Sequence, residues 1–278
     1  MIILAARRSG VERLTAAGVP DAAQDVAMLL AHVLGVSRAD LALMSPQTLL
    51  SCAQVAGFEV AISARAARQP LSHITGQRLF WGRSFIVTPD VLDPRPETET
   101  LIAAALAHPF ASVLDLGTGS GCILLSLLAD RTAARGLGVD ISAPALAVAA
   151  RNQARLGVSA LWAQGSWFDP VQGRFDLIVS NPPYIAVDEM AALSPEVQGW
   201  EPHLALTPGG DGLAPYRIIS ATAPKHLTAT GRLVVEIGPS QGAAVAALFR
   251  AAGFKRVEIL LDLDGRGRVV SGQLGEVV

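Results

Sequence analysis

Apolar and polar positions fall into two regimes along the chain. Over the first seventy residues the period is helical: Val26, Leu29, Leu30 and Val33 recur at i, i+3, i+4 and i+7, one face of a 3.6-residue turn. Asp21 stands where an N-cap is wanted and Gly35 where a helix stops. Ser45-Pro46 breaks the next apolar run, and an Ala-rich helix is predicted over 53–68. With no alternating run, this region reads as a small helical bundle ending at Gln69-Pro70. Two aromatic and β-branched runs then flank Gly82-Arg83, which predicts a hairpin between domains. A helix is expected over 97–107, with Pro96 in its first turn, where a missing N–H costs nothing.

From Ser112 onward strand and helix alternate. Strands are predicted over 113–116, 137–140, 160–163, 176–180, 233–237 and 257–262. Helices are predicted over 123–129, 144–156, 216–227 and 241–252. Such βαβ alternation means an α/β domain with a mostly parallel sheet covered on both faces. Asp264-Gly265-Arg266-Gly267 before the run 268–274 predicts a closing antiparallel hairpin. The expected division is a bundle over 1–72, a hairpin linker over 73–95 and an α/β domain over 96–278.

Composition narrows the function classes. A chain of 278 residues with 51% hydrophobic and 17% charged residues has ample material for a core. A net charge of −2 excludes attachment to nucleic acid by bulk electrostatics. Mean hydropathy of +0.41 raises the question of a membrane. Apolar stretches such as 122–129 are far short of the roughly 18 to 20 residues of a spanning helix. The opening apolar run is followed by Arg7 and Arg8, unlike a signal sequence. Cys52 and Cys122 offer neither a disulfide framework nor zinc spacing, and both are expected to pack inside their domains. The five histidines show no ligand spacing, so no metal is expected. A cytoplasmic, reducing compartment fits.

The sharpest cofactor signal is Gly117-Thr118-Gly119-Ser120-Gly121, which leaves a strand and enters a helix. Glycines let the backbone turn tightly and approach a ligand closely. This is the carboxyl edge of a parallel sheet, where ligands bind. Cys122 stands where a dinucleotide fingerprint wants its third glycine, and no Lys-Ser/Thr follows to grip a triphosphate. Asp140 ends the next strand and can accept from both hydroxyls of a ribose. Asp115, just before the loop, is placed to order it by accepting N–H groups. An acid before this glycine spacing resembles S-adenosylmethionine-dependent methyltransferases more than nicotinamide enzymes.

The strand over 176–180 runs into Asn181-Pro182-Pro183-Tyr184, which should lie beside the glycine loop. Two prolines stiffen the turn and remove two donors. The Asn181 side-chain oxygen and the Pro182 carbonyl remain as acceptors, a match for the two hydrogens of a planar NH₂ group, with Tyr184 able to stack on the same plane. An amide nitrogen is a poor nucleophile because its lone pair is delocalised. Two positioned acceptors hold it in line and favour charge developing on nitrogen.

Asn181-Pro182-Pro183-Tyr184 resembles the turn of amino methyltransferases that act on planar NH₂ groups, either adenine or protein glutamine. Residues 70–76 (PLSHITG), 80–82 (FWG) and 91–99 (VLDPRPETE) resemble the linker of the second group. Glu201-Pro202, Gly209-Gly210-Asp211-Gly212-Leu213 with Tyr216-Arg217, and Glu236-Ile237-Gly238 with Gln241-Gly242 resemble its later blocks. From about Pro70 to Val270 the chain is similar to the peptide chain release factor N5-glutamine methyltransferases of the PrmC/HemK family.

The resemblance implies a Rossmann-like, seven-stranded class I methyltransferase sheet with a small helical N-terminal domain. It implies S-adenosyl-L-methionine held by Gly117, Thr118, Gly119, Ser120, Gly121, Asp140 and Asn181, with Trp167 beside the adenine. Asn181, Pro182 and Tyr184 become the catalytic set, and Asn181, Pro182, Pro183 and Tyr184 the substrate slot. The substrate becomes the glutamine of the Gly-Gly-Gln loop in class 1 release factors, gripped elsewhere by the bundle of a monomeric enzyme. Ser72-His73 and Asp93 depart from the family pattern, in the linker. Arg95, Glu97 and Glu99 stand either near the methionine end of the cofactor or simply at a helix start; Glu201 is expected to order a lid. Two rivals stand beside this reading. An adenine-N6 methyltransferase would need a basic groove and a target-reading region, and a non-catalytic scaffold would not need an intact Asn181-Pro182-Pro183-Tyr184.

Overall fold

A computed structural model describes residues 1–275; the last three residues of the expected third domain, 276–278, lie outside the described residues. The chain divides into two compact units, Met1–Gly76 with Ser194–Trp200, and Gln77–Leu193 with Glu201–Val278.

The first unit is built from α1 (Ile3–Ala16), α2 (Ala22–Leu34), α3 (Arg38–Leu43), α4 (Cys52–Ala66) and α5 (Leu71–Thr75). Leu14, Val26, Leu29, Leu30, Phe58 and Ile62 form its core, the apolar stripe the helical period requires. Ser37 and Ser51 close capping boxes with Asp40 and Gln54, satisfying first-turn N–H groups. Asp21 occupies the N-cap position of α2, but its side chain makes no capping bond. Its neighbour Asp25 instead accepts from Arg65 at 2.6 Å, and Arg65 also reaches Glu196 in the Ser194–Trp200 segment at 3.0 Å. Cys52, expected inside the bundle, is exposed at the first turn of α4, because the apolar face there is carried by Phe58, Ala61 and Ile62.

The expected border between Ser72 and His73 falls inside α5, which ends at Gly76 with φ +71°, the left-handed cap that glycine adopts freely. The hairpin β1 (Gln77–Phe80) and β2 (Arg83–Ile86) follows. Its two-residue turn is Trp81-Gly82, both at positive φ, one residue earlier than expected. Trp81 accepts the left-handed cost because its N–H reaches Glu99 (2.8 Å) and its indole N–H reaches Asp130 (2.7 Å).

After the hairpin come α6 (Glu99–Leu106), β3 (Ser112–Leu116), α7 (Cys122–Asp130), β4 (Arg135–Asp140), α8 (Ala143–Leu156), β5 (Leu161–Gln164) and β6 (Phe175–Ser180). Beyond β6 lie short helices α9 (Pro195–Trp200) and α10 (His203–Leu206), then α11 (Ala214–His226), β7 (Leu227–Glu236), α12 (Gly242–Ala251), β8 (Lys255–Leu261) and β9 (Gly267–Gln273). The seven strands of the main sheet run in the order β5-β4-β3-β6-β7-β9-β8, with β9 antiparallel to both neighbours and the first five parallel. Apolar clusters cover both faces: Leu101, Leu124 and Leu127 on one, Tyr216, Ile219 and Phe249 on the other. That burial is why β3 and β6 are mostly apolar, with Asp115 the fully buried exception in β3. Among the described residues no helix is long and apolar enough to cross a membrane.

Candidate active site

Strand order reverses between β3 and β6, the switch point at which a parallel sheet opens a crevice. Register brings three chain segments to this edge. Leu116 pairs with Val139 on one side and Ser180 on the other, so Gly117, Asp140 and Asn181 all begin at the same level. The Ser180 hydroxyl donates to the Leu116 carbonyl at 2.7 Å and locks the two ends together. A cleft of about 380 Å³ opens there.

The glycine loop forms one wall. Gly117, Gly119 and Gly121 have φ of +71°, +54° and +77°, conformations that L side chains resist. Gly121 is also close-packed, since a Cβ there would stand 3.0 Å from the Trp162 ring. Asp140 accepts the Gly119 N–H (2.8 Å) on one carboxylate oxygen and the Ser142 N–H (2.9 Å) on the other. Each oxygen keeps a second lone pair, and the residue borders the cleft. Burial raises its pKa above the usual carboxylate range, against the pull of those N–H groups.

Asp115 is fully buried beneath the loop and accepts the Thr118 hydroxyl at 2.6 Å. Burial pushes its carboxyl up to about 7, with the Asp140 charge adding to the rise and the Thr118 and Leu124 hydrogen bonds opposing it. The folded state therefore keeps a proton that the unfolded chain releases near pH 4. Raising the pH from about 4 towards 7 costs stability, by up to about 1.4 kcal/mol per pH unit for this group, and the slope vanishes above it. Denaturant titrations across this range should show a shallower decline for Asp115→Asn than for the native chain.

Asn181 and Pro183 also line the cleft, with Pro202, Leu204, Thr207 and Pro208 from the long loop. That loop is zipped to the strand exit: the Ile185 N–H donates to the Leu206 carbonyl and the Val187 N–H to the Gly210 carbonyl. Asn181 Nδ2 donates to Thr98 Oγ1 at 3.3 Å, which leaves Oδ1 for an incoming donor. Trp167 lines the floor with Gly165 and Ser166 and holds φ +48°, a strained state for a bulky residue.

Of the sequence-derived residues, Gly117, Thr118, Gly119, Ser120, Asp140, Trp167, Asn181 and Pro183 border one cleft. Gly121 stands behind it as the N-cap of α7. Pro182 is buried and does not border it. Tyr184 turns away, its hydroxyl donating to Glu236 Oε1 at 3.5 Å; burial, then the Glu236 charge, raises its pKa. Arg95 borders the cleft and pairs with buried Glu201, whereas Glu99 is spent on the hairpin.

Several supporting residues were not foreseen. Asn152 is wholly buried: its Oδ1 accepts the Ile86 N–H at 2.6 Å, and its Nδ2 donates to the Ile86 and Ser120 carbonyls. Its signal was an amide on the apolar face Ala145, Val148, Ala149. The Tyr184 turn is held by Gln241, whose Nε2 donates to the Tyr184 carbonyl at 2.9 Å and whose Oε1 accepts the Gly238 N–H. Gly212 lies against the same carbonyl. Thr98 had no signal beyond its place before a helix.

Comparison with known proteins matches residues 5–76 to the family model PrmC N-terminal domain and residues 92–196 to Methyltransferase small domain. A release factor glutamine methyltransferase of Cereibacter sphaeroides is 59% identical over 271 residues, covering 97% of both chains. One of Rhodospirillum rubrum is 46% identical, over 93% of this chain and 81% of that one. Among solved structures, a methyltransferase from Pyrococcus furiosus superposes with a TM-score of 0.54 at 15% identity, over 69% of this chain and 89% of that chain. The Thermus thermophilus 16S rRNA N2 G1207 methyltransferase, solved with AdoMet and guanosine, gives a TM-score of 0.51 at 18% identity, over 71% and 49%. These two share the fold of the seven-stranded unit.

Proposed function

The chain belongs to the release factor glutamine methyltransferase family, and on that premise we propose that it methylates the side-chain amide of the Gly-Gly-Gln glutamine in class 1 release factors. The methyl donor is S-adenosyl-L-methionine. The observation that carries the reading is that a ribose acceptor, Asp140, and an amide acceptor, Asn181, border one cleft at the ends of the strands on either side of β3.

The residues fit such a donor. Asp140 has one free lone pair on each oxygen for two ribose hydroxyls. Positive-φ glycines bring backbone N–H groups to the edge, and Trp167 offers a flat apolar floor for a base. When bound, S-adenosylmethionine supplies a methyl group made electrophilic by its sulfonium. The chain's part is to hold the nucleophile. Asn181 Oδ1, which borders the cleft, accepts a hydrogen of the glutamine NH₂, and the two prolines after it keep that acceptor from following the substrate as it moves. Alignment of this kind removes orientational entropy before the reaction, and fixed acceptors stabilise positive charge growing on nitrogen. With the donor held by the glycine loop, Asp140 and Trp167, the nitrogen held by Asn181 would take the methyl as the sulfonium leaves as a thioether, and would then release its extra proton to water. No base is needed before attack. The bundle grips the rest of the release factor, and the enzyme works as a cytoplasmic monomer without nucleic acid.

Transfer of labelled methyl from S-adenosylmethionine to purified release factor, abolished when the Gly-Gly-Gln glutamine is changed to alanine, tests this. Label on duplex DNA in place of the protein would overturn it. A second expectation concerns the donor alone. Asp140→Asn presents an N–H to one ribose hydroxyl, and calorimetry should find S-adenosylmethionine bound about tenfold more weakly, the scale of one charged hydrogen bond. Unchanged affinity would remove Asp140 from the donor site.

A further inference from the structure

Two residues of the turn that carries Asn181 cannot donate: Pro182 and Pro183 have no N–H with which to tie the backbone down. The entrance of the turn is secured by β6, whose last residue, Ser180, pairs with Leu116 on one side and Val235 on the other. Its exit is secured at a single peptide unit. The Tyr184 carbonyl accepts from Gln241 Nε2 at 2.9 Å, and the N–H of the same unit, on Ile185, donates to the Leu206 carbonyl at 3.0 Å. Both polar groups of that unit are therefore held by other segments, and its plane is set from two directions.

Gln241 stands at the N-cap position of α12 and does not border the cleft. Gly238, two residues beyond the end of β7, fixes it twice. The Gly238 N–H donates to Gln241 Oε1 at 3.0 Å, and the Gln241 main-chain N–H donates to the Gly238 carbonyl at 3.0 Å. An N–H must meet the amide oxygen, and a carbonyl must meet the amide nitrogen. Gly238 thus decides which way round the Gln241 amide lies and leaves Nε2 aimed at Tyr184, 57 residues earlier in the chain. The prolines carry the effect upstream. With φ fixed at both, the chain between Tyr184 and Asn181 has few soft torsions left to absorb a shift at the exit, so the shift passes to Asn181.

We propose that Gln241 is a positioning residue for methyl transfer: it holds the Tyr184 carbonyl and, through the proline-stiffened turn, aims Asn181. This rests on the reading of Asn181 as the acceptor for the substrate amide. Gln241 lies outside the cleft, so its loss should act on turnover and spare binding of the donor. Two substitutions of similar size separate its two hydrogen bonds. Gln241→Met removes both. Gln241→Glu keeps an oxygen for the Gly238 N–H but, when ionised, sets a second oxygen against the Tyr184 carbonyl, where a donor is needed.

The test is steady-state methylation of release factor at about pH 8.5, where a glutamate is ionised. It compares the native chain with Gln241→Met, Gln241→Glu, Asn181→Ala and the double variant Gln241→Met with Asn181→Ala, alongside calorimetry of S-adenosylmethionine and thermal melts. Gln241→Met should lower kcat about tenfold, the scale of one lost orienting hydrogen bond, and Gln241→Glu at least as far. KM and the donor Kd should stay within about threefold. Because Gln241 acts through Asn181, the double variant should lie within about threefold of Asn181→Ala alone, the non-additivity expected of residues that work as one unit. Native kcat in either single Gln241 variant would overturn the proposal. So would KM and Kd moving in step with kcat, or a double variant lower than Asn181→Ala by the full factor that Gln241→Met costs by itself. If Asn181→Ala is fully active, the acceptor reading fails and this inference with it. If Asn181→Ala is defective while the single Gln241 variants are not, only this inference fails.

Discussion

Asn181→Ala is expected to lower turnover by about a hundredfold or more while leaving S-adenosylmethionine affinity within about tenfold, as for an oriented contact made mainly in the transition state. The split follows from where the residue stands. Its amide is one of many groups around the cleft, so the donor keeps the glycine loop, Asp140 and Trp167 when the amide is removed. The substrate nitrogen keeps no comparable partner: Asn181 supplies the side-chain acceptor of this turn, and Pro182 stands behind the cleft. Single-turnover methylation separates the two effects, since a saturating donor removes any loss of affinity. Turnover within a few-fold of the native chain would sink the proposed role of Asn181.

Gly212→Ala should be nearly as damaging although the residue lies outside the cleft. A Cβ at this position would stand 2.3 Å from the Tyr184 carbonyl oxygen and 2.9 Å from Gln241 Nε2, in a backbone at φ +74°. The clash falls on backbone and on the one side chain that holds it, so the Tyr184 turn must move. A shift of about 1 Å there is enough to cost on the order of a hundredfold in rate, so turnover should fall about thirtyfold or more. Gly210→Ala is the control. It also lies at positive φ, +56°, but nothing stands within 4 Å of its Cβ, so it should cost only the left-handed penalty of about 1 kcal/mol. Equal activity in the two variants would show that turn position is not what Gly212 protects.

Legibility differed between kinds of residue. The glycine loop, Asp140 and Asn181 could be read because each sits at the end of an apolar run, and a parallel sheet delivers all its strand ends to one edge. The hairpin was read one residue late because Gly82 drew the turn towards itself, whereas Trp81 takes the first left-handed position with help from Glu99 and Asp130. Asp21 looked like a cap and makes no capping bond, since cap identity at one position says nothing of where its side chain points. Thr98, Asn152, Gly212 and Gln241 act through partners 28 to 83 residues away. No local pattern encodes such a distance.

The sequence by itself determined the helical bundle, the α/β alternation, the family likeness and the residues at the strand ends, because periodicity, turn chemistry and loop glycines are local properties of the chain. Tertiary structure alone decided which of those residues share a cleft, that Pro182 and Tyr184 stand behind it, and that Asp115 and Glu236 hold protons up to about pH 7. Those outcomes depend on desolvation and on hydrogen bonds between distant segments, and both exist only once the sheet has been assembled and its two faces covered.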